Sequence, residues 1–214
     1  MSLFAELKMQ WTLIFVDFCD IIYNNMSSFD LTAPLRGTVY NANRTFYEFE
    51  YKPSEFDYEM MGIAIKLAIS AMNNGDNPVG AVLNTPFGSF ESETYEHRNH
   101  DSEAHAEKLV YQAARLDAKE KLPRADEPFG LHLGECVLYS TAELCVGCSH
   151  LYDQVGAGMV FIATSRDDSP DFFRKKAINQ RSIWEQSPRT LTVIEGLRRV
   201  EARELLTLNS KRHE

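Results

Sequence analysis

Four cysteines in 214 residues are too few to frame a disulfide scaffold. Long apolar runs are lacking too. The strongest near the start, Trp11 to Val16, falls far short of the roughly 20 residues that a membrane-spanning helix needs. Asp17 and Asp20 follow it at once and no small-residue cleavage site is evident, so neither a transmembrane helix nor a signal peptide is expected. Internal repeats and low-complexity tracts are absent. Positive charge is scarce: 22 Lys and Arg stand against 31 Asp and Glu, a formal net charge of −9, which argues against a general nucleic-acid binder. Cys19 and Cys136 lie in apolar surroundings and read as buried free thiols, so a reducing cytoplasm is the expected location.

What is present suits a globular protein. Hydrophobic residues make up 44% and charged residues 25%, and the length allows one well-packed α/β domain plus an extension. The charge is uneven. Residues 171–214 hold ten Lys/Arg and six Asp/Glu, so a basic tail follows an acidic body. That tail either touches phosphates or is a solvated helix face.

Phe4, Leu7, Trp11, Ile14 and Phe15 recur at helical spacing, so an amphipathic helix is expected at the N-terminus. Residues 26–54 are polar and aromatic, with Pro34 and Gly37, and read as a loop or short strands. We therefore divide the chain into an extension, 1–54, and a main domain, 55–214. A helix is expected from Tyr58 to Met72, stopped by the Asn73-Asn74-Gly75-Asp76-Asn77-Pro78 run. Val79 to Asn84 and Ser89 to His97 read as a hairpin around Thr85-Pro86-Phe87-Gly88. Asp101 or Ser102 can cap a helix running through Leu116. Strands are expected at Cys136–Ser140, Met159–Ala163 and Thr190–Ile194. Helices are expected from near Cys145, over Asp171–Ile178 and over Leu197–Leu208. Strands alternating with helices argue for a three-layer α/β/α architecture.

Two short motifs carry the chemistry. His105-Ala106-Glu107 and Cys145-Val146-Gly147-Cys148 offer one imidazole, two thiols and a carboxylate. A closed structural zinc site uses four protein ligands, whereas a catalytic one uses three and leaves a position for water. No fourth Cys or His stands at conventional spacing, so the predicted ligands are His105, Cys145 and Cys148. A zinc with an open position brings the pKa of water towards about 7. Cys145 and Cys148 fall at an expected helix N-terminus, where the dipole favours thiolate, and His105 opens another helix. A CxxC alone would equally suit a redox pair, and His105 alone an ordinary core histidine. Glu107 is either a proton shuttle or a solvent-facing helix charge. Val110 and Tyr111, three and four residues on, offer it no cation.

These motifs match the zinc deaminase signature H-x-E…P-C-x-x-C, and the chain resembles the cytidine deaminase-like superfamily. The guanine deaminase and tRNA adenosine deaminase branch is the most similar. Asn77-Pro78-Val79-Gly80-Ala81-Val82-Leu83 resembles its first strand. Asp101 to Glu107 resembles D-P-T-A-H-A-E, and Leu138 to Cys145 resembles L-Y-x-T-x-E-P-C. The resemblance runs from about residue 57 to residue 207 and implies a five-stranded mixed sheet. Leu144 departs from the family's Pro, which removes a φ restraint before the thiols.

The resemblance implies Zn2+ as cofactor, with Glu107 moving protons between water, ring nitrogen and departing ammonia. It also implies main-chain contacts from Ala106 and Glu143 to substrate, and an Asn before the HAE helix that bonds the base or ribose. Asn99 is either that residue or a plain turn residue. Phe172 and Phe173 serve either as an aromatic lid or as core. His97 and His100 could contact substrate or be exposed loop residues, and His132 and His150 complete no second ligand pair. The expected activity is hydrolytic deamination of a small-molecule nucleobase or nucleoside, guanine first, by a homodimer that needs no membrane. The alternatives are a tRNA adenosine deaminase using the basic tail and a non-catalytic zinc-binding subunit of a deaminase complex.

Overall fold

The computed structural model describes residues 33–121, 135–168 and 179–211. The expected N-terminal helix, the helix over Asp171–Ile178, Phe172, Phe173, Cys19 and His132 lie outside the described residues. The chain divides into two units, Met1–Ala33 and Pro34–Glu214, and every element below belongs to the second.

Strands β1 (Leu35–Tyr40) and β2 (Phe46–Tyr51) form a hairpin. Helix α1 follows (Glu55–Asn73), then β3 (Gly80–Thr85) and β4 (Gly88–Glu93). A single helical turn, α2 (Glu96–Asn99), leads to α3 (Ala106–Lys121). Strand β5 (Val137–Ala142), α4 (Val146–Gln154) and β6 (Met159–Thr164) come next, then α5 (Gln180–Trp184), β7 (Leu191–Glu195) and α6 (Arg199–Lys211).

The strands form one mixed sheet in the order β2-β1-β7-β6-β5-β3-β4. Strands β5, β6 and β7 run parallel, and the flanking pairs are antiparallel. Among the described residues the sheet has seven strands where five were expected. Residues 35–51, which the sequence assigned to the extension, supply the additional two, because β1 pairs with β7 in the register Gly37↔Ile194.

The central strands split their side chains between two helical layers. Ala81, Leu83, Leu138, Val160, Ile162 and Val193 share a core with Ala106, Val110, Leu144, Tyr152 and Trp184 on the α3, α4 and α5 side. On the other face, α1 and α6 pack together. Helix α1 approaches β3 closely at Gly80. A Cβ there would lie 2.7 Å from the Ala68 nitrogen and closer still to the Ala64 carbonyl.

The start of α1 is fixed by a capping box. Ser54 Oγ accepts from the Asp57 N–H at 3.2 Å, and Asp57 Oδ2 accepts from the Ser54 N–H at 2.7 Å. The same buried carboxylate also accepts from Tyr139 O–H of β5 at 2.7 Å and Tyr51 O–H of β2 at 3.1 Å. The Tyr139 ring stacks on Phe161 at 4.7 Å, and Tyr51 meets Phe161 edge-on at 5.5 Å. Burial, with Asp57 beside it, pushes the Tyr51 phenol up to about 12, and Tyr139 is raised by the same causes. Both phenols therefore stay protonated donors across the physiological range.

Tyr139→Phe leaves Asp57 Oδ1 without that donor and should cost about 1–3 kcal/mol of stability. Urea unfolding at neutral pH is the measurement. An unchanged midpoint would mean that the bond is replaced at no net cost.

Candidate functional site

Two helix starts meet just beyond the carboxyl end of β5, the place where ligands bind in open α/β sheets. His105 precedes α3, and its carbonyl accepts the Leu109 N–H at 3.0 Å. Cys145 is the N-cap of α4, with an extended backbone and a sulfur that accepts the Cys148 N–H at 3.4 Å. A cysteine thus fills the role that Ser or Asp commonly takes at a cap, which aims its sulfur at the exposed helix amides.

The structure brings His105, Cys145 and Cys148 together, with their ligand atoms all within 4.8 Å of one another. His105 Nδ1 lies 3.4 Å from Cys145 Sγ and 3.6 Å from Cys148 Sγ. In a tetrahedral site with Zn–S of about 2.3 Å and Zn–N of about 2.0–2.1 Å, sulfur and nitrogen stand about 3.6 Å apart. The spacing and donor types therefore fit one zinc ion with three protein ligands.

The electrostatics favour a cation there. A hydrogen bond from Cys148, then one from His105, holds the Cys145 thiol down to about 4, although burial opposes both. Cys148 is raised in turn by its bond to Cys145 and by burial. His105 is raised to about 11, first by Cys145 and then by Glu96. Without a metal the trio holds a thiolate beside an imidazolium, and a metal ion binding there releases protons.

Glu107 points into the same cluster. It is 3% exposed, Oε1 accepts from Ser140 O–H at 3.0 Å, and Oε2 lies 3.8 Å from Cys148 Sγ. Burial raises its pKa while the His105 charge opposes the rise. Tyr152 O–H donates to the Glu107 carbonyl at 2.8 Å and ties this turn of α3 to α4.

Ala106 is fully buried as the first residue of α3. Glu143 donates its N–H to the Thr164 carbonyl at 2.8 Å, and its side chain binds the Arg166 N–H at 2.8 Å and guanidinium at 3.3 Å. Asn99 is exposed at the end of α2. His97 is exposed, with its ring Nδ1 2.9 Å from the Gly75 carbonyl, and His100 and His150 are exposed.

Sequence reasoning missed Ser140, which holds Glu107, and two further residues. Glu96, from the same turn as Asn99, places Oε1 3.2 Å from His105 Nε2. Gln180 Oε1 accepts the N–H of Leu144 at 3.2 Å. A Pro before the thiols would have no N–H to satisfy. Leu144 brings one into a fully buried position, and buried Gln180 accepts it.

The chain matches a model of the cytidine and deoxycytidylate deaminase zinc-binding region over residues 54–164. No curated protein matches it. Among solved structures it is similar to a guanine deaminase from Nitrosomonas europaea, with 20% identity, 72% of this chain and 84% of that one covered, and a TM-score of 0.56. A crystal structure in complex with 2,6-diaminopurine aligns at 20% identity, 72% and 82% coverage, and a TM-score of 0.55. A structure from work on A-to-I editing by tRNA:A34 deaminases aligns at 21% identity, 69% and 98% coverage, and a TM-score of 0.49. The first two likenesses concern the fold. The match to the zinc-binding region covers more than half the chain and spans His105, Glu107, Cys145 and Cys148, so this protein belongs to the cytidine and deoxycytidylate deaminase family and binds zinc.

Proposed function

We propose that this protein hydrolyses an exocyclic amino group from a nucleobase or nucleoside, with free guanine the first candidate. His105 Nδ1, Cys145 Sγ and Cys148 Sγ hold the zinc, and Glu107 is the proton carrier. The observation that carries the reading is Glu107 itself. A buried carboxyl group lies 3.8 Å from one sulfur of a group of three ligands that, among the described residues, has no fourth His or Cys.

The reaction replaces C–NH2 by C=O, takes oxygen from water and releases ammonia. Zinc bound by three protein ligands supplies a Lewis acid that makes a strong nucleophile available near neutral pH. The protein residues do the rest. Ser140 O–H holds Glu107 Oε1, which leaves Oε2 turned towards the sulfurs. In its carboxylate form Glu107 takes a proton from the attacking water at Oε2. It passes that proton to the ring nitrogen and then assists the departing ammonia. Burial favours the protonated state between these transfers. The Glu143 carbonyl, beside the ligands, can accept from an N–H of the ring.

The net charge of −9, and a guanine deaminase and a 2,6-diaminopurine complex among proteins of similar fold, favour a small base over RNA. Ammonia release from guanine, cytosine, adenine, their nucleosides and an anticodon stem-loop is the direct comparison. We expect release from one small molecule; release from the stem-loop alone would establish the RNA reading in its place.

Two outcomes test the roles. Glu107→Gln should lower kcat at least about 100-fold while zinc content, read by atomic absorption, stays at the wild-type level. A variant that keeps most of its activity would contradict the proton-carrier role. Chelation should abolish ammonia release, added zinc should restore it, and reloading the apoprotein should release protons into a weakly buffered solution. Activity that survives complete removal of zinc would overturn the proposal.

A further inference from the structure

We propose that Glu96 is the positioning residue for the zinc site: its carboxylate fixes the His105 ring so that Nδ1 faces the metal. The inference rests on His105 as a ligand. An imidazole that ligates through one nitrogen carries its proton on the other, and the partner of that second N–H sets ring orientation and ligand basicity. Here Nδ1 faces the two sulfurs at 3.4 and 3.6 Å, and Nε2 lies 3.2 Å from Glu96 Oε1. A carboxylate only accepts, so it matches the single N–H that a neutral, metal-ligating His105 presents.

Glu96 is held from its other side. Oε2 accepts from Asn77 Nδ2 at 2.8 Å, and Asn77 Oδ1 lies 3.5 Å from Asn209 Nδ2 of α6. The turn that carries Glu96 is braced as well. Asp76 Oδ1 accepts the backbone N–H groups of His97 at 2.7 Å and Arg98 at 3.3 Å. The Arg98 guanidinium binds Asp76, Glu93 at 2.6 Å and the Thr94 carbonyl at 3.1 Å, and it lies 4.2 Å above the Tyr95 ring. Asp76 is buried beneath this cluster. Glu96 and His105 retain 22% and 28% side-chain exposure, so the bond is only partly shielded from water and depends on this bracing to hold one geometry.

The bond acts through the ligand and makes no contact with substrate. Its loss should therefore appear in metal affinity as well as in rate. The experiment is competition for zinc between the full chain and a coloured chelator, with wild type, Glu96→Ala, Glu96→Gln, His105→Ala and Glu103→Ala compared. Apoprotein unfolding in urea is followed for each. Removal of an outer partner of a metal-bound histidine typically weakens binding 10–100-fold. We expect Glu96→Ala to fall about 10- to 100-fold in affinity. Glu96→Gln keeps a neutral acceptor and should recover part of that loss. Glu103→Ala, an exposed pair of Lys108, should match wild type. The apoprotein midpoints of the Glu96 variants should stay near wild type.

Wild-type zinc affinity in Glu96→Ala, with affinity lost in His105→Ala, would overturn this inference and leave His105 a ligand. Unchanged affinity in His105→Ala would overturn the ligand assignment itself. Should Glu96→Ala fail to fold, Glu96→Gln decides: affinity equal to Glu103→Ala together with a lowered apoprotein midpoint would make Glu96 a structural residue only.

Discussion

Two sulfurs and one imidazole nitrogen have to meet within a few ångströms, although they come from motifs about 40 residues apart in the chain. The fold meets this constraint by starting two helices at one point. Cys145 caps α4 with its own sulfur, and His105 stands at the head of α3. The Cys148 N–H at the start of α4 reaches the Cys145 sulfur, and the dipole at a helix start favours thiolate. The helices are locked by the Tyr152 bond to the Glu107 carbonyl and by the shared core beneath them.

Strand β5 couples this point to the rest of the molecule. Its pleat sends Tyr139 to one face and Ser140 to the other. Tyr139 reaches Asp57 at the capped start of α1, and Ser140 reaches Glu107 at the start of α3. A one-residue slip of β5 would exchange these partners, so the register that buries the core also sets the carboxylate. The pairing Ala81↔Ser140 and Ser140↔Ile162 places Ser140 in the middle of the sheet, where such a slip is costly.

The site was legible where chemistry needs particular residue types. The HAE and CxxC spacings named three ligand candidates and a carboxylate, and the structure gathers all four. The order of strands and helices was legible from hydrophobic pattern, with ends shifted by a few residues. What escaped the sequence depends on long-range partners. Residues 35–51 lack a buried alternating run of their own, since β2 is an exposed edge, and their place is set by β7 far along the chain. Ser89 to His97 read as one strand, yet pairing stops at Glu93 opposite Gly80. There Asp76, from another loop, takes the N–H groups of His97 and Arg98 and bends the chain into a helical turn. That turn brings Glu96 to His105 and leaves Asn99 exposed. Gln180 could be found only after α5 was seen beside Leu144, because no local pattern links positions 36 residues apart.

The central claim is a zinc ion held by two cysteines and one histidine with one position free of protein. X-ray absorption at the zinc edge of the purified protein measures it directly. The account expects two sulfurs at about 2.3 Å, one imidazole nitrogen at about 2.0–2.1 Å and one further light atom that does not scatter as an imidazole ring. A shell of four sulfurs, or of two sulfurs and two imidazoles, would contradict it, because a closed site leaves no place for the reacting water.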